Sequence, residues 1–150
     1  MRPARSLLLT VNLLLLMAGG SAYGVDYVSV GQPDSIQFDA PSLKAKKIFV
    51  VSRHMPLEQV IALDNWVKVR DSSGGLAWME RRALSSKRYV LVTAPQTSLL
   101  AKPDESSPVL ARVGQQVVLE WLESTGSGWV KVRHEQGAQG YVRSADVWGN

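Results

Sequence analysis

The five residues Trp66-Val67-Lys68-Val69-Arg70 recur unchanged as Trp129-Val130-Lys131-Val132-Arg133. This recurrence constrains the fold more than any other feature, because a chain of 150 residues that repeats such a block builds one small unit twice. Other blocks keep the same spacing of about 62 residues. Tyr27-Val28-Ser29-Val30 aligns with Tyr89-Val90-Leu91-Val92, and Ile36-Gln37-Phe38 with Ser98-Leu99-Leu100. Pro41 aligns with Pro103, and Gly75-Leu76-Ala77-Trp78-Met79 with Ala138-Gln139-Gly140-Tyr141-Val142. Collinear blocks in this order indicate an internal duplication. A unit near 60 residues buries only about 60% of its unfolded surface, so two such units gain by packing together.

Each copy consists of short runs of Val, Ile, Leu, Trp and Tyr punctuated by Gly, Ser, Asn, Asp and Pro, which predicts short strands and tight turns. In Trp66-Val67-Lys68-Val69-Arg70 the alternation sends the valines to one face and Trp66, Lys68 and Arg70 to the other. Asp71-Ser72-Ser73-Gly74-Gly75 then supplies a hairpin turn, a part given to Gly137 and Gly140 in the second copy. Val60-Ile61-Ala62-Leu63 is apolar throughout and is expected to form a strand buried on both sides. No segment beyond the N-terminus carries a helical period.

The N-terminus is different in kind. Arg2 and Arg5 precede an apolar run from Leu7 to Met17, broken by Thr10 and Asn12, and then the small residues Ala18 to Gly24. This is the pattern of a secretory signal peptide, with an apolar stretch too short for a bilayer core of roughly 30 Å. Cleavage is expected after Gly24, with Ala22 as the alternative, leaving no stable membrane span. The expected division is residues 1–24 signal peptide, 25–86 first unit and 87–150 second unit, joined by the short link Ser85-Ser86-Lys87-Arg88. Removing Arg2 and Arg5 from the 17 basic residues leaves 15 against 13 acidic ones. So small and dispersed a surplus offers no footprint for nucleic acid. The absence of cysteine excludes disulfides, thiolate chemistry and a lipidated N-terminal cysteine.

The order of an apolar strand, a Pro-containing loop, Trp-Val-Lys-Val-Arg, a glycine turn, an aromatic-apolar strand and a final Leu or Val resembles the bacterial SH3 family. Two copies cover nearly all of the chain after the signal peptide, and the second, from Thr97 through Gly128-Trp129 to Gly140-Tyr141-Val142, resembles it more closely. The first departs at Asp64-Asn65 and at Ala77, where the family usually has glycine. The resemblance implies an all-β protein of two tandem, small, partly open SH3-like barrels, each of five or six strands with a helical turn near Arg81–Leu84 and Ser144–Val147. It also implies a non-catalytic binding module of the cell envelope, periplasmic or secreted, because bacterial SH3 domains are often appended to wall-active enzymes as targeting modules. The partner is expected to be cell-wall peptide or another wall component; the alternative is an adaptor for an exported protein.

Trp66 and Trp129 fall where SH3 domains place the first tryptophan of the ligand groove. They either contact ligand, as large rigid aromatics do at hot spots, or cover the barrel flank. Lys68, Arg70, Lys131 and Arg133 form an outward stripe that either faces ligand carboxylates or is a solvated strand face. These six residues are the candidate ligand-binding set, with Arg53, Arg81, Arg82, His134 and Arg143 as neighbours to consider. Trp78 and Tyr141 are read as core or inter-strand packing, and Trp121 and Trp148, which have no counterpart in the first copy, as inter-repeat contacts. The tyrosines of a polyproline groove are missing at Asp39-Ala40-Pro41, Ala101-Lys102-Pro103, Ala83 and Asp146, so polyproline docking is not expected. His54 and His134 stand at no metal-ligand spacing. No G-x-S-x-G is present, and Asp34, Asp39, Glu58, Asp64 and Glu80 form no paired motif. No catalytic residue, metal or cofactor is expected.

Overall fold

The computed structural model describes residues 24–150. The signal-peptide reading lies, up to Tyr23, outside the described residues. Among the described residues, fourteen strands form two antiparallel sheets of identical order. In the first repeat these are β1 (Tyr27–Val30), β2 (Ser35–Phe38), β3 (Lys47–Val51), β4 (Pro56–Ala62), β5 (Trp66–Arg70), β6 (Leu76–Glu80) and β7 (Leu84–Ser85). In the second they are β8 (Tyr89–Val92), β9 (Gln96–Leu100), β10 (Val109–Gly114), β11 (Val118–Ser124), β12 (Trp129–Arg133), β13 (Gln139–Arg143) and β14 (Val147–Trp148). The sheet orders are β3-β2-β6-β5-β4-β1-β7 and β10-β9-β13-β12-β11-β8-β14, and in neither do the two end strands pair with each other. Each repeat is therefore an SH3-like, partly open barrel. Seven strands replace the expected five or six because the two-residue closing strands β7 and β14 also pair, with β1 and β8. Single 3-10 turns at Arg81–Ala83 and Ser144–Asp146 stand where helical turns are expected.

The alternation in the repeated pentapeptide sets both cores. Val67 and Val69 are buried with Val30, Leu57 and Met79, and Val130 and Val132 with Val90, Leu99, Leu119 and Val142. The first core is interrupted at Gln37, which takes the place of Leu99 and is buried with only the Met79 sulfur, 4.0 Å away, facing its amide nitrogen. A buried amide with so weak a partner is a local cost within the first core.

Two sequence expectations are corrected. Val60, Ile61 and Leu63 are not buried on both sides but are 38%, 44% and 44% exposed. β1 pairs β4 only over Pro56–Glu58, and the register with β5 shifts between Gln59 and Ile61, so the far end of the β4–β5 hairpin runs past the core. Gly140 is not a turn residue. It lies within β13, where an added Cβ would stand 2.4 Å from the Leu100 carbonyl oxygen. The turn belongs to Gly137 (φ 99°), as the first belongs to Gly74 (φ 89°), where the Asp71 carboxylate accepts from the Ser73 and Gly75 amides, both at 2.9 Å.

The sheets meet across the short link. Arg88 lies with its guanidinium carbon 4.4 Å from the Trp121 ring centre and 5.5 Å from that of Tyr27, and donates to the Gly149 carbonyl at 2.6 Å. Trp148 meets Tyr27 edge-on at 5.2 Å, the His54 ring stacks on Tyr89 at 4.4 Å, and the Ser29 hydroxyl donates to the Lys87 carbonyl at 2.6 Å. Gly149 has φ 105°, and a Cβ there would stand 2.9 Å from the Tyr89 carbonyl oxygen and 3.2 Å from the Pro56 side chain. Trp148 thus makes the expected inter-repeat contact, and Trp121 reaches the first repeat through Arg88.

Because the obstacle at Gly140 is backbone, Gly140→Ala is expected to cost about 1–3 kcal/mol or more of stability through overpacking, read as a lower urea midpoint. An unchanged midpoint contradicts the close approach of β13 to β9.

Candidate functional site

Trp66 and Trp129 each open the strand that follows a loop, β5 and β12, and both are half-buried and turned away from the valines. Their surroundings differ. Trp66 is met edge-on by Phe38 at 5.4 Å, with the rings at 86°, and the adjoining groove of about 300 Å³ is lined by Pro33, Ile36, Phe38, Leu43, Lys47 and Arg82 without the indole. In the second repeat Leu100 replaces Phe38, and Trp129 itself lines a groove of about 290 Å³ together with Thr97, Leu100, Glu105, Arg112 and Arg143. Arg143 lies 5.7 Å from the Trp129 ring centre and is ion-paired with Glu105. The Thr97 hydroxyl donates to the Asp146 carboxylate at 2.7 Å, tying β9 to the 3-10 turn at the groove floor. Asp34, Lys47, Glu80 and Arg82 also line the first groove, so both grooves are charged, and the same scaffold carries the indole at the groove in the second repeat only.

The cationic stripe is less available than the alternation implies. Strand register sets Glu58 opposite Arg70 and Glu120 opposite Arg133, and the pairs close at 2.8 and 3.1 Å. Lys68 sits 5.9 Å from the ring centre of Trp78, its cross-strand partner, and Lys131 is opposite Tyr141. Trp78 and Tyr141 therefore serve inter-strand packing on the outer face. Trp129 lines its groove with Arg143, whereas Lys131 and Arg133, on the same face of β12, do not line it. Of the neighbours considered, Arg81 donates to the Leu63 and Asp64 carbonyls and Arg82 pairs with Glu80. Sequence reasoning missed Thr97, Glu105 and Arg112, which line the groove from β9, the β9–β10 loop and β10. The signal available was position: Glu105 lies in the loop that joins β9 to β10, and Arg112 lies in β10 opposite Ser98, next to Thr97.

Glu120 is shared. Burial pushes its carboxyl up, but the Lys87 hydrogen bond and charge, with those of Arg133, outweigh burial and hold it below its ordinary value. Among the described residues no group of three His, Cys, Asp or Glu side chains is placed to hold a metal ion, and no helix is long and apolar enough to cross a membrane.

The profile of the bacterial SH3 domain matches the chain twice, over residues 37–86 and 94–149. The chain belongs to the bacterial SH3 domain family, in tandem form. Comparison with curated protein sequences returns no match. Solved structures similar to it include NlpC2 from Trichomonas vaginalis, at 10% identity and a TM-score of 0.38, covering 85% of this chain and 49% of that one. NlpC1 from the same organism is 11% identical at a TM-score of 0.38, covering 93% and 51%. An NlpC/P60 family protein from Bacillus cereus is 16% identical at 0.36, covering 81% and 55%. The chain spans about half the length of these structures.

A carboxyl group held down in the folded state adds stability above its unfolded pKa and loses that contribution as the pH falls through its folded value. Unfolding titrations run downward from the ordinary glutamate value of 4.5 are therefore expected to show a shallower acid loss of stability in Glu120→Gln than in the wild type. Parallel acid limbs contradict the shared ion pair.

Proposed function

We propose that this chain is a non-catalytic binding module of the bacterial envelope, cleaved after Gly24 to leave the linked units 25–86 and 87–150 and working in the periplasm or outside the cell. Its ligand is peptidoglycan peptide or another wall component. The observation that supports this most is the Trp129 groove. An indole at its edge offers a large rigid contact at little entropic cost, and Arg112 and Arg143 supply planar donors for carboxylates. In this reading the second repeat carries most of the ligand contact. Trp66, partly covered by Phe38, contributes less, and the stripe of Lys68, Arg70, Lys131 and Arg133 acts at the margin.

A second reading, an adaptor for an exported protein, draws on β3. Among the described residues this strand pairs only with β2, and its Phe49 and Val50 are 62% and 68% exposed, an edge open to strand addition. It predicts one specific protein crosslinked in the exported compartment and no enrichment on sacculi.

Retention on purified sacculi separates the two. The wild type is expected to be retained, Trp129→Ala to lose about tenfold or more as hot-spot truncations do, and Trp66→Ala to lose less while both keep the wild-type circular dichroism. Retention of folded Trp129→Ala equal to wild type, or no retention of the wild type, overturns the proposal.

A further inference from the structure

The junction between the repeats encloses a second cleft, of about 500 Å³, within the roughly 300–1,000 Å³ range of small-ligand sites. It is built from both sheets. Arg53 and His54 enter from the loop between β3 and β4, Lys87 from the link, Tyr89, Val117 and Val118 from β8 and the start of β11, and Arg133, His134 and Glu135 from the end of β12.

Three features mark it as more than a gap. First, charge is unevenly matched. Lys87 and Arg133 share the single carboxylate of Glu120, at 3.3 and 3.1 Å, and Arg53 has no ion-pair partner among the described residues. With Glu135 the walls hold three full cations against two carboxylates. The surplus is legible at His54, whose imidazole is pushed below its ordinary value by burial and by the charges of Arg53 and Lys87, against the opposing pull of Glu120 and Glu135. Second, His54 is held in place. Its backbone is left-handed, with φ 72°, as is that of Gln116 (φ 66°) at the same turn of the second repeat, so the conformation belongs to the scaffold and fixes where the side chain leaves it. Its amide donates to the Val30 carbonyl at 2.8 Å, and its ring lies flat on Tyr89. Third, His134 is oriented as well, because its Nδ1 accepts from the Gln136 amide at 3.2 Å and leaves Nε2 to donate.

We propose that this junction cleft, with Arg53, His54, Lys87 and His134 above the apolar floor of Tyr89 and Val118, binds the free carboxylate of a short peptide. A surplus of one positive charge matches a singly charged group. Phosphate, with up to two charges, would face Glu120 and Glu135 undercompensated. Val117 and Val118 suit the aliphatic stem that carries a carboxylate, while Tyr89, stacked on His54 and under the Lys87 ammonium, holds these two donors in place; the donors form the charge-assisted hydrogen bonds that a carboxylate takes. The site exists only where the two repeats meet, which gives the duplication a use that one copy cannot supply. It stands independently of the Trp129 groove.

The test is a titration of the whole exported chain with N-acetyl-alanyl-alanine, followed by NMR at the imidazole protons of His54 and His134 and repeated with the C-terminal amide of the same peptide and with inorganic phosphate. The free acid is expected to shift both histidines, and the amide and phosphate to leave them in place. Arg53→Gln, which removes no observed ion pair, is expected to weaken binding about tenfold, the worth of a charge-assisted hydrogen bond. Glu135→Gln, which removes a competing carboxylate, is expected to tighten it. No shift with the free acid, an equal response to the amide or to phosphate, or wild-type affinity in folded Arg53→Gln overturns the proposal.

Discussion

The Arg88 guanidinium, held between Tyr27 of one sheet and Trp121 of the other and bonded to the Gly149 carbonyl, is the contact on which the relation of the two repeats depends. A guanidinium is weakly hydrated for a cation and stacks on aromatic faces, so it can leave water at lower cost than an ammonium. The cost is still visible, because Arg88 Nε is buried without a partner among the described residues. Burial also lowers the pKa of Arg88 against the pull of Tyr27, and burial raises that of Tyr27. The aromatic contacts offset this cost, and only a glycine at position 149 lets the chain end pass close enough to accept the hydrogen bond. Two barrels with cores this small gain from such a seam what neither core supplies alone.

Duplication has preserved the scaffold and changed the surfaces. Both copies keep the buried valine pairs, the outward tryptophan, the glycine turn and the 3-10 turn. What differs lies on the groove: Phe38 against Leu100, Leu43 against Glu105, Glu80 against Arg143 and Ala83 against Asp146. These exchanges leave the backbone alone because the side chains sit outside the valine core. In the proposed reading, the first repeat stiffens and completes the junction while the second carries the indole to the ligand.

The strands, the duplication and the outward position of Trp66 and Trp129 were legible because period-two alternation in Trp-Val-Lys-Val-Arg leaves one face to bury. The fate of Val60–Leu63 was not, since an apolar run does not reveal where its neighbouring strand stops; β1 ends its pairing at Glu58. The pairing of Arg70 with Glu58 and of Arg133 with Glu120 was hidden for a related reason. Cross-strand partners follow from register, and a shift in the β4–β5 and β11–β12 pairs moves every partner by one. Trp121 and Trp148 announced the junction by having no counterpart in the first copy, whereas Arg88, its centre, looked like an ordinary link residue. Gly140 read as turn chemistry because sequence does not separate a glycine that needs positive φ from one that needs a missing Cβ.

The direct test of a single coupled unit is equilibrium unfolding in urea followed by two reporters, the indole resonance of Trp66 for the first sheet and that of Trp129 for the second. Coincident transitions with one midpoint are predicted. Two midpoints, with one repeat melting while the other keeps its native resonance, would contradict the account.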